Sequence, residues 1–143
     1  MQATARIVHD RGSLRFALPT HTTQEIVELP KTVPVPGAPR HALGLMAWQG
    51  THIPLIDVAV RLGAGLPRAK QPRYALVVAM QEAPGAPIEH GALALDTLPE
   101  TVTVDDAAAC ELPQSQAWQR VAISCFDSGG VPVPVVDPAR LFA

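Results

Sequence analysis

The residues best suited to chemistry in this 143-residue chain are one acidic turn, five histidines and two cysteines. The triplet Asp127-Ser128-Gly129 resembles the turn with which aspartic proteases bring together two aspartates that share one proton. A dimer of short chains would supply such a pair. Only fourteen residues follow Gly129, however, which leaves little chain for the rest of a catalytic lobe. A plain β-turn is the preferred interpretation, and a dimeric aspartyl hydrolase is the enzymatic alternative.

The remaining candidate ligands and nucleophiles form no recognisable site. Cys110 and Cys125 lie fifteen positions apart, which matches neither a CxxC metal pair nor a disulfide-dense secreted scaffold. The sequence contains no G-x-S-x-G elbow and no P-loop. The histidines have no metal-like spacing: His9, His21, His41, His52 and His90. We therefore expect no catalytic residue, no metal and no cofactor, in a reduced cytoplasmic protein.

Composition excludes several classes of partner. Hydrophobic residues make up 48% of the chain and charged residues 17%, with a net charge of -2. A globular domain fits these values, whereas an electrostatic grip on nucleic acid or on an anionic membrane would need a clustered basic surface. The longest apolar run, residues 75–80, is far too short to insert into a bilayer.

Short apolar segments between prolines and glycines indicate an all-β protein. Fifteen prolines and ten glycines divide the apolar material into pieces of strand length. Thr22 and Glu25 have the spacing of a capping box for a short helical turn, and residues 107–117 are the best remaining place for helix. The predicted strands cover residues 5–9, 14–18, 26–29, 43–48, 53–58, 74–80, 92–95, 121–126 and 131–136.

An internal repeat organises these strands. The segment GTHIPLIDVAVRL (residues 50–62) is echoed by GVPVPVVDPARL (residues 130–141), with glycine, proline, aspartate and alanine 80 positions apart. Each aspartate follows a strand, where it can cap a helical turn. Two similar halves predict two small barrels packed on one another. We expect a single domain over residues 1–143, with half-barrels at roughly 14–63 and 74–136 and terminal strands crossing between them.

The order of these features resembles the CheW-like domain family. Its V-x-E-I element is matched by Thr23-Gln24-Glu25-Ile26, after a hairpin. Its G-V-x-N-L-R-G-x-v-x-P-V-i-D-L block is similar to residues 44–58, from Gly44 to Val58. Its G-l-x-V-D-x-V-x-e-V signature resembles residues 91–102, and its closing L-D-x-x-x-L resembles residues 136–141. The resemblance runs from about residue 5 to residue 141.

The resemblance implies a fold and a function. The fold is two five-stranded SH3-like barrels around a shared hydrophobic core, with short helical turns. The function is that of a non-enzymatic adaptor, which couples chemoreceptors to a histidine kinase in bacterial chemotaxis or twitching motility. The implied partners are the receptor's cytoplasmic tip and the kinase's regulatory domain. A CheW-like binding module outside the core array is the alternative.

One departure from the family pattern affects the implied partner surface. The family's N-L-R-G is replaced by Ala47-Trp48-Gln49-Gly50, so an arginine that lies near the V-x-E-I glutamate becomes a neutral amide. A glutamine cannot form a bidentate charged pair with Glu25. This indicates a paralogue from a specialised pathway, such as the system that controls type IV pili. Trp48 is either an apolar interface anchor or a core residue between the barrels. The residues carried over as partner-binding are Thr23, Glu25, Gly44, Trp48, Gln49 and Gly50.

Overall fold

Two packed β-sheets make up most of the computed structural model, which describes residues 2–10, 14–63 and 70–143. Residues 11–13, between the strands predicted at 5–9 and 14–18, and residues 64–69, between the two expected half-barrels, lie outside the described residues. The strands of the described part are β1 (Gln2–Asp10), β2 (Leu14–Pro19), β3 (Thr23–Glu28), β4 (Thr32–Val33), β5 (Ala42–Trp48), β6 (Thr51–Ile56), β7 (Tyr74–Met80), β8 (Glu89–Leu95), β9 (Glu100–Asp105), β10 (Ala122–Ser128) and β11 (Val131–Val136).

Both sheets have the same strand arrangement. One has the order β10-β11-β2-β1-β9 and is called barrel A here. The other, barrel B, has the order β3-β7-β8-β6-β5-β4. Read from β5, its five longer strands follow the order of barrel A, with one parallel pair at the same place: β6 with β8, and β11 with β2. The prediction of two SH3-like barrels is confirmed, and the two-residue β4 is an addition at the edge of barrel B.

Each half of the chain contributes its first hairpin to one barrel and its later strands to the other. In the first half, the β1–β2 hairpin lies in barrel A, whereas β3, β5 and β6 lie in barrel B. The β7–β8 hairpin lies in barrel B, and the strands that follow it lie in barrel A. The halves expected at 14–63 and 74–136 therefore do not coincide with the barrels. The reason is local, because only the 3-10 turn Thr20–Thr22 separates β2 from β3, and β3 continues into the neighbouring sheet.

Alternation along the strands creates three hydrophobic cores. In β2, Ala17 points into barrel A while Phe16 and Leu18 point towards barrel B. In β8, Ala92 and Ala94 fill barrel B and Leu93 joins the core between the barrels. On these two strands the small residues face a barrel interior and the larger ones lie between the sheets. Large residues of other strands, such as Met46 and Phe126, also contribute to the interiors. A strand that is buried on both faces reads as a continuous apolar run, as β7 does.

The short helices follow the repeated aspartates. Asp57 caps α1 (Val58–Arg61) by accepting a hydrogen bond from the Val60 backbone N–H. Asp137 caps α3 (Pro138–Leu141) in the same way, through the N–H of Ala139. Both caps were predicted from the repeat. Residues 107–117, where helix was predicted, contain the end of a 3-10 turn (Asp106–Ala108) and the start of α2 (Gln116–Val121), most of which lies after them.

The predicted capping box between Thr22 and Glu25 does not form. The Thr22 hydroxyl donates to the Pro19 carbonyl oxygen and so closes the 3-10 turn from its end. Glu25 lies in β3, because the β-branched residues beside it favour extended backbone. Its carboxylate is consequently available for a contact elsewhere in barrel B.

Two glycines of the sequence motifs allow close approach. Gly44 has a φ of 136°, and a Cβ built on it would lie 2.5 Å from the Val33 carbonyl oxygen of β4. A Cβ on Gly91 would lie 2.5 Å from the ring of Phe142, which packs over the strand at that point. At both positions the close packing within the fold accounts for the glycine, and no contact with a partner protein is needed to explain it.

The two repeat hairpins turn through residue pairs with positive φ. Gln49 and Gly50 have φ of 47° and 76°, and Trp48 pairs with Thr51. Gly129 and Gly130 have φ of 62° and 85°, with Ser128 paired to Val131. Positive φ at both central residues is the type I′ turn that suits the twist of a hairpin. Gln49 is the one non-glycine residue with positive φ among the described residues.

Replacing Gly44 by alanine is expected to lower the free energy of unfolding by more than about 2 kcal/mol, because the methyl group collides with backbone rather than with a movable side chain. Gly37→Ala is the matched control. Gly37 also has a positive φ, of 77°, but open space around it, so only the left-handed backbone cost of about 1 kcal/mol applies. Urea unfolding of both variants measures the difference, and equal losses would contradict the steric argument.

Replacing Gln49 by glycine is expected to raise the free energy of unfolding by about 0.5–1 kcal/mol, because glycine adopts positive φ without steric cost. The reverse change at the equivalent turn, Gly129→Gln, should lower it by a similar amount. Thermal unfolding monitored by circular dichroism measures both. Gln49→Ala serves as the control, since it removes the side chain and keeps the strain, and a gain there equal to that of Gln49→Gly would refute the strain argument.

Candidate functional site

Glu25 and Trp48 meet at one end of barrel B. Side chains of alternate residues point into the barrel, and Trp48 continues the inward row of β5 beyond the buried Met46. Glu25 continues the inward row of β3 beyond Val27. The Trp48 indole Nε1–H donates a hydrogen bond of 2.5 Å to Glu25 Oε1. Two residues that lie 23 positions apart in sequence thereby join β3 and β5 where the barrel opens to solvent.

His90 completes this group from a third strand. Its ring lies 4.8 Å from the Trp48 ring, centroid to centroid, at an interplanar angle of 46°. A tilted arrangement at this distance is typical of attractive aromatic pairs. Trp48 is therefore fixed on both sides, by a hydrogen bond to Glu25 and by the His90 ring. We call Glu25, Trp48 and His90 the barrel-end group.

The barrel-end group differs electrostatically from an arginine–glutamate pair. An indole N–H is a neutral donor, so it orients the Glu25 carboxylate without neutralising its charge. Glu25 is exposed and Trp48 is half-buried. The end of barrel B thus presents a fixed carboxylate beside a partly accessible aromatic ring. Such a combination suits recognition by another protein, because aromatic side chains bury much area at little entropic cost.

The other predicted site residues have different environments. Gln49 and Gly50 form the exposed tip of the β5–β6 turn, directly after Trp48. Thr23 lies at the start of β3, where its Oγ1 accepts a hydrogen bond from Arg6 Nε at 2.8 Å and donates to the Thr20 carbonyl at 2.7 Å. Gly44 is buried against β4. The structure thus brings Glu25 and Trp48 into contact, and gives Thr23 and Gly44 hydrogen-bonding and packing roles within the fold.

Trp48 does not lie in the core between the barrels, which is one of the two positions that the sequence leaves open for it. Its ring packs against the interior of barrel B rather than between the barrels. His90 was not predicted as a site residue. The available signal was its position two residues before the inward-facing Ala92, which places it on the inner face of β8. Its pairing with Trp48 depends on barrel closure and is not visible in the sequence.

A cavity of about 470 Å³ lies between barrel B and the C-terminal residues. Met80, Glu89, His90 and Phe142 are among the residues that line it. His41 also lines the cavity, where desolvation and then the nearby charge of Arg61 lower its pKa below the usual value of histidine. His41 is thus predominantly neutral at neutral pH. The cavity extends the accessible surface around His90.

The acidic turn has the geometry of a plain hairpin. Asp127 is an exposed residue of β10 paired with Pro132, and the turn itself is Gly129-Gly130. The Ser128 hydroxyl accepts a hydrogen bond from Arg15 Nη2. In the part of the chain that the structure describes, no three histidine, cysteine, aspartate or glutamate residues are grouped as metal ligands would be. The described helices have four to six residues, too few for any of them to span a membrane.

Comparison with known proteins agrees with this architecture. A profile of the CheW-like domain matches residues 7–143. A search of curated protein sequences gives no match. Among solved structures, the scaffolding protein TtCheW from Thermoanaerobacter tengcongensis superposes with a TM-score of 0.81 at 16% identity, over 99% of this chain and 93% of that one. At this identity the likeness concerns the fold. Since the profile covers nearly the whole chain, the protein belongs to the CheW-like domain family.

Proposed function

We propose that this chain is a non-enzymatic adaptor that couples chemoreceptors to a chemosensory histidine kinase in the bacterial cytoplasm. It would act as a single domain and bind the regulatory domain of the kinase and the cytoplasmic tip of the receptor. The observation that carries the proposal is the Trp48–Glu25 hydrogen bond. In the family pattern the arginine near this glutamate corresponds to Gln49, and here the neighbouring Trp48 supplies the donor to Glu25 instead.

The mechanism is surface complementarity rather than chemistry. Family membership supports an adaptor role, and the barrel-end group supplies a rigid feature for a partner to recognise. The Glu25 carboxylate keeps acceptor positions beside the one used by the indole. The Trp48 ring offers apolar area to a partner next to this charge. The exposed Gln49-Gly50 tip adds backbone groups at the same end of the barrel.

The neutral pair supports a specialised pathway. A partner matched to an arginine–glutamate pair would meet the Trp48–Glu25 pair instead, whose indole is larger than a guanidinium group and uncharged. Trp48 would therefore favour a partner with an apolar or cationic contact at this point, since cations also bind aromatic faces. A chemosensory system for type IV pili and twitching motility is such a pathway in our proposal. A CheW-like module outside the core array would use the same surface for a different protein.

Calorimetric titration against the regulatory domain of the cognate kinase, and against a receptor-tip fragment, tests the proposal. We expect Trp48→Ala to weaken at least one of the two complexes by about 30-fold, the effect of losing an interface hot spot. Trp48→Phe keeps most of the apolar area and loses the donor, so a smaller loss is expected. Glu25→Gln should also weaken binding, since it removes the charge and keeps the shape.

Matched substitutions elsewhere in the chain provide the controls. Trp118→Phe changes the other tryptophan, on α2, and Glu28→Gln changes an exposed glutamate on the same strand as Glu25. Both should bind as the wild type does. Asp127→Asn should also leave binding unchanged, whereas an aspartyl hydrolase would lose all its activity. Failure of the wild type to bind either partner would reject the adaptor role. Binding to a different protein in their place would indicate the alternative, a CheW-like module outside the core array.

A further inference from the structure

The two cysteines lie opposite each other where barrel A closes. The edge strands of this sheet are β9 and β10, and an isolated bridge between Ala109 and Phe126 joins the segment after β9 to β10. One position further, the Cys110 backbone N–H donates to the Cys125 carbonyl oxygen at 3.1 Å. We call this contact between the segment after β9 and strand β10 the barrel A seam. It completes the circle of strands in barrel A.

The side chains of the pair are in direct contact. The two Sγ atoms lie 3.1 Å apart as free thiols. Directly opposite residues in a hydrogen-bonded antiparallel pair have Cα atoms about 5.5 Å apart. A disulfide requires roughly 4.4–6.8 Å between Cα atoms. The backbone hydrogen bond and the contact between the sulfurs therefore place the two residues within reach of a covalent bond.

Accessibility and acidity give the two cysteines different roles. Cys125 is buried, with 6% of its surface exposed, whereas Cys110 is half-buried. Burial, and then the contact with the Cys110 thiol, raise the pKa of Cys125 to about 12. Its thiolate is scarce at neutral pH, and the thiolate is the reactive form. An external reagent would accordingly reach Cys110 first, and Cys125 would complete the reaction.

We propose that Cys110 and Cys125 form a redox modification site, in which exchange with a low-molecular-weight disulfide cross-links the barrel A seam. In the first step the Cys110 thiolate attacks the small disulfide, which gives a mixed disulfide and releases one small thiolate. In the second step the Cys125 thiolate attacks the Cys110 sulfur and releases the other. The protein loses two electrons and two protons, and the small disulfide is reduced to two thiols.

The cross-link would stabilise the barrel that carries it. It encloses the fourteen residues from 111 to 124, including α2 and its tryptophan, and a closed loop of this size lowers the entropy of the unfolded chain. The seam involves neither Glu25 nor Trp48, which lie in barrel B. The modification therefore acts on the stability of the fold, and its test is independent of the adaptor function.

The test uses the purified full-length protein in glutathione buffers that range from fully reduced to fully oxidised. Intact-mass analysis should show the loss of two hydrogen atoms, and non-reducing electrophoresis should show a monomer. Only two cysteines are present in the chain, so such a product identifies the pair. The melting temperature should rise by about 5–10 °C on oxidation and return on reduction. Closure should be several-fold faster at about pH 9 than at about pH 7, because more thiolate is present.

Cys110→Ser and Cys125→Ala are the control variants. Neither should show the oxidation-dependent rise in melting temperature, and each retains one thiol that can form only a mixed disulfide. The proposal is overturned if the folded wild type stays reduced in the fully oxidised buffer, or gives only mixed disulfides or disulfide-linked dimers. It is also overturned if the intramolecular bond forms and the melting temperature does not change.

Discussion

The structure depends on the apolar layer that the two barrels share. The interior of each barrel combines small residues such as Ala17 and Ala92 with larger ones such as Met46 and Phe126. Large side chains such as Phe16 and Leu93 lie on the outer faces, where the other barrel and the short helices cover them. Burying each of them contributes roughly 1.5–3 kcal/mol. Neither barrel would bury these residues alone, so the two form one cooperative unit.

The exchange of hairpins reinforces this layer. Because β2 passes directly into β3, each repeat contributes strands to both barrels, and separating the barrels would require breaking strand pairs as well as apolar contacts. Arg6 and Thr23 add a hydrogen bond between β1 and the start of β3. Arg61 on α1 donates a hydrogen bond to the carbonyl oxygen of Leu141 on α3, and so joins the two repeated helical turns. The shared core and the crossing connections therefore hold the barrels in one fixed arrangement.

A rigid scaffold of this kind can present a small recognition feature in a fixed geometry. Trp48 is anchored at its inner side by the barrel B core and at its edge by Glu25, and His90 lies against its ring. The Gln49-Gly50 turn continues from it with two residues at positive φ, one of them under steric strain. Little conformational freedom is left to lose on binding, which favours affinity without a large interface.

The sequence by itself determined the strands, the repeat, the two barrels and the aspartate caps at Asp57 and Asp137, because these follow from local patterns of apolar residues, turns and hydrogen bonds. It did not determine which hairpin belongs to which barrel, since strand pairing depends on contacts between distant segments. For the same reason it left open whether Trp48 lies between the barrels. The spacing of Cys110 and Cys125 resembled no known motif, yet barrel closure places their sulfurs in contact. Only the tertiary structure brings such residues together, because their proximity is a property of the closed sheets and not of the chain.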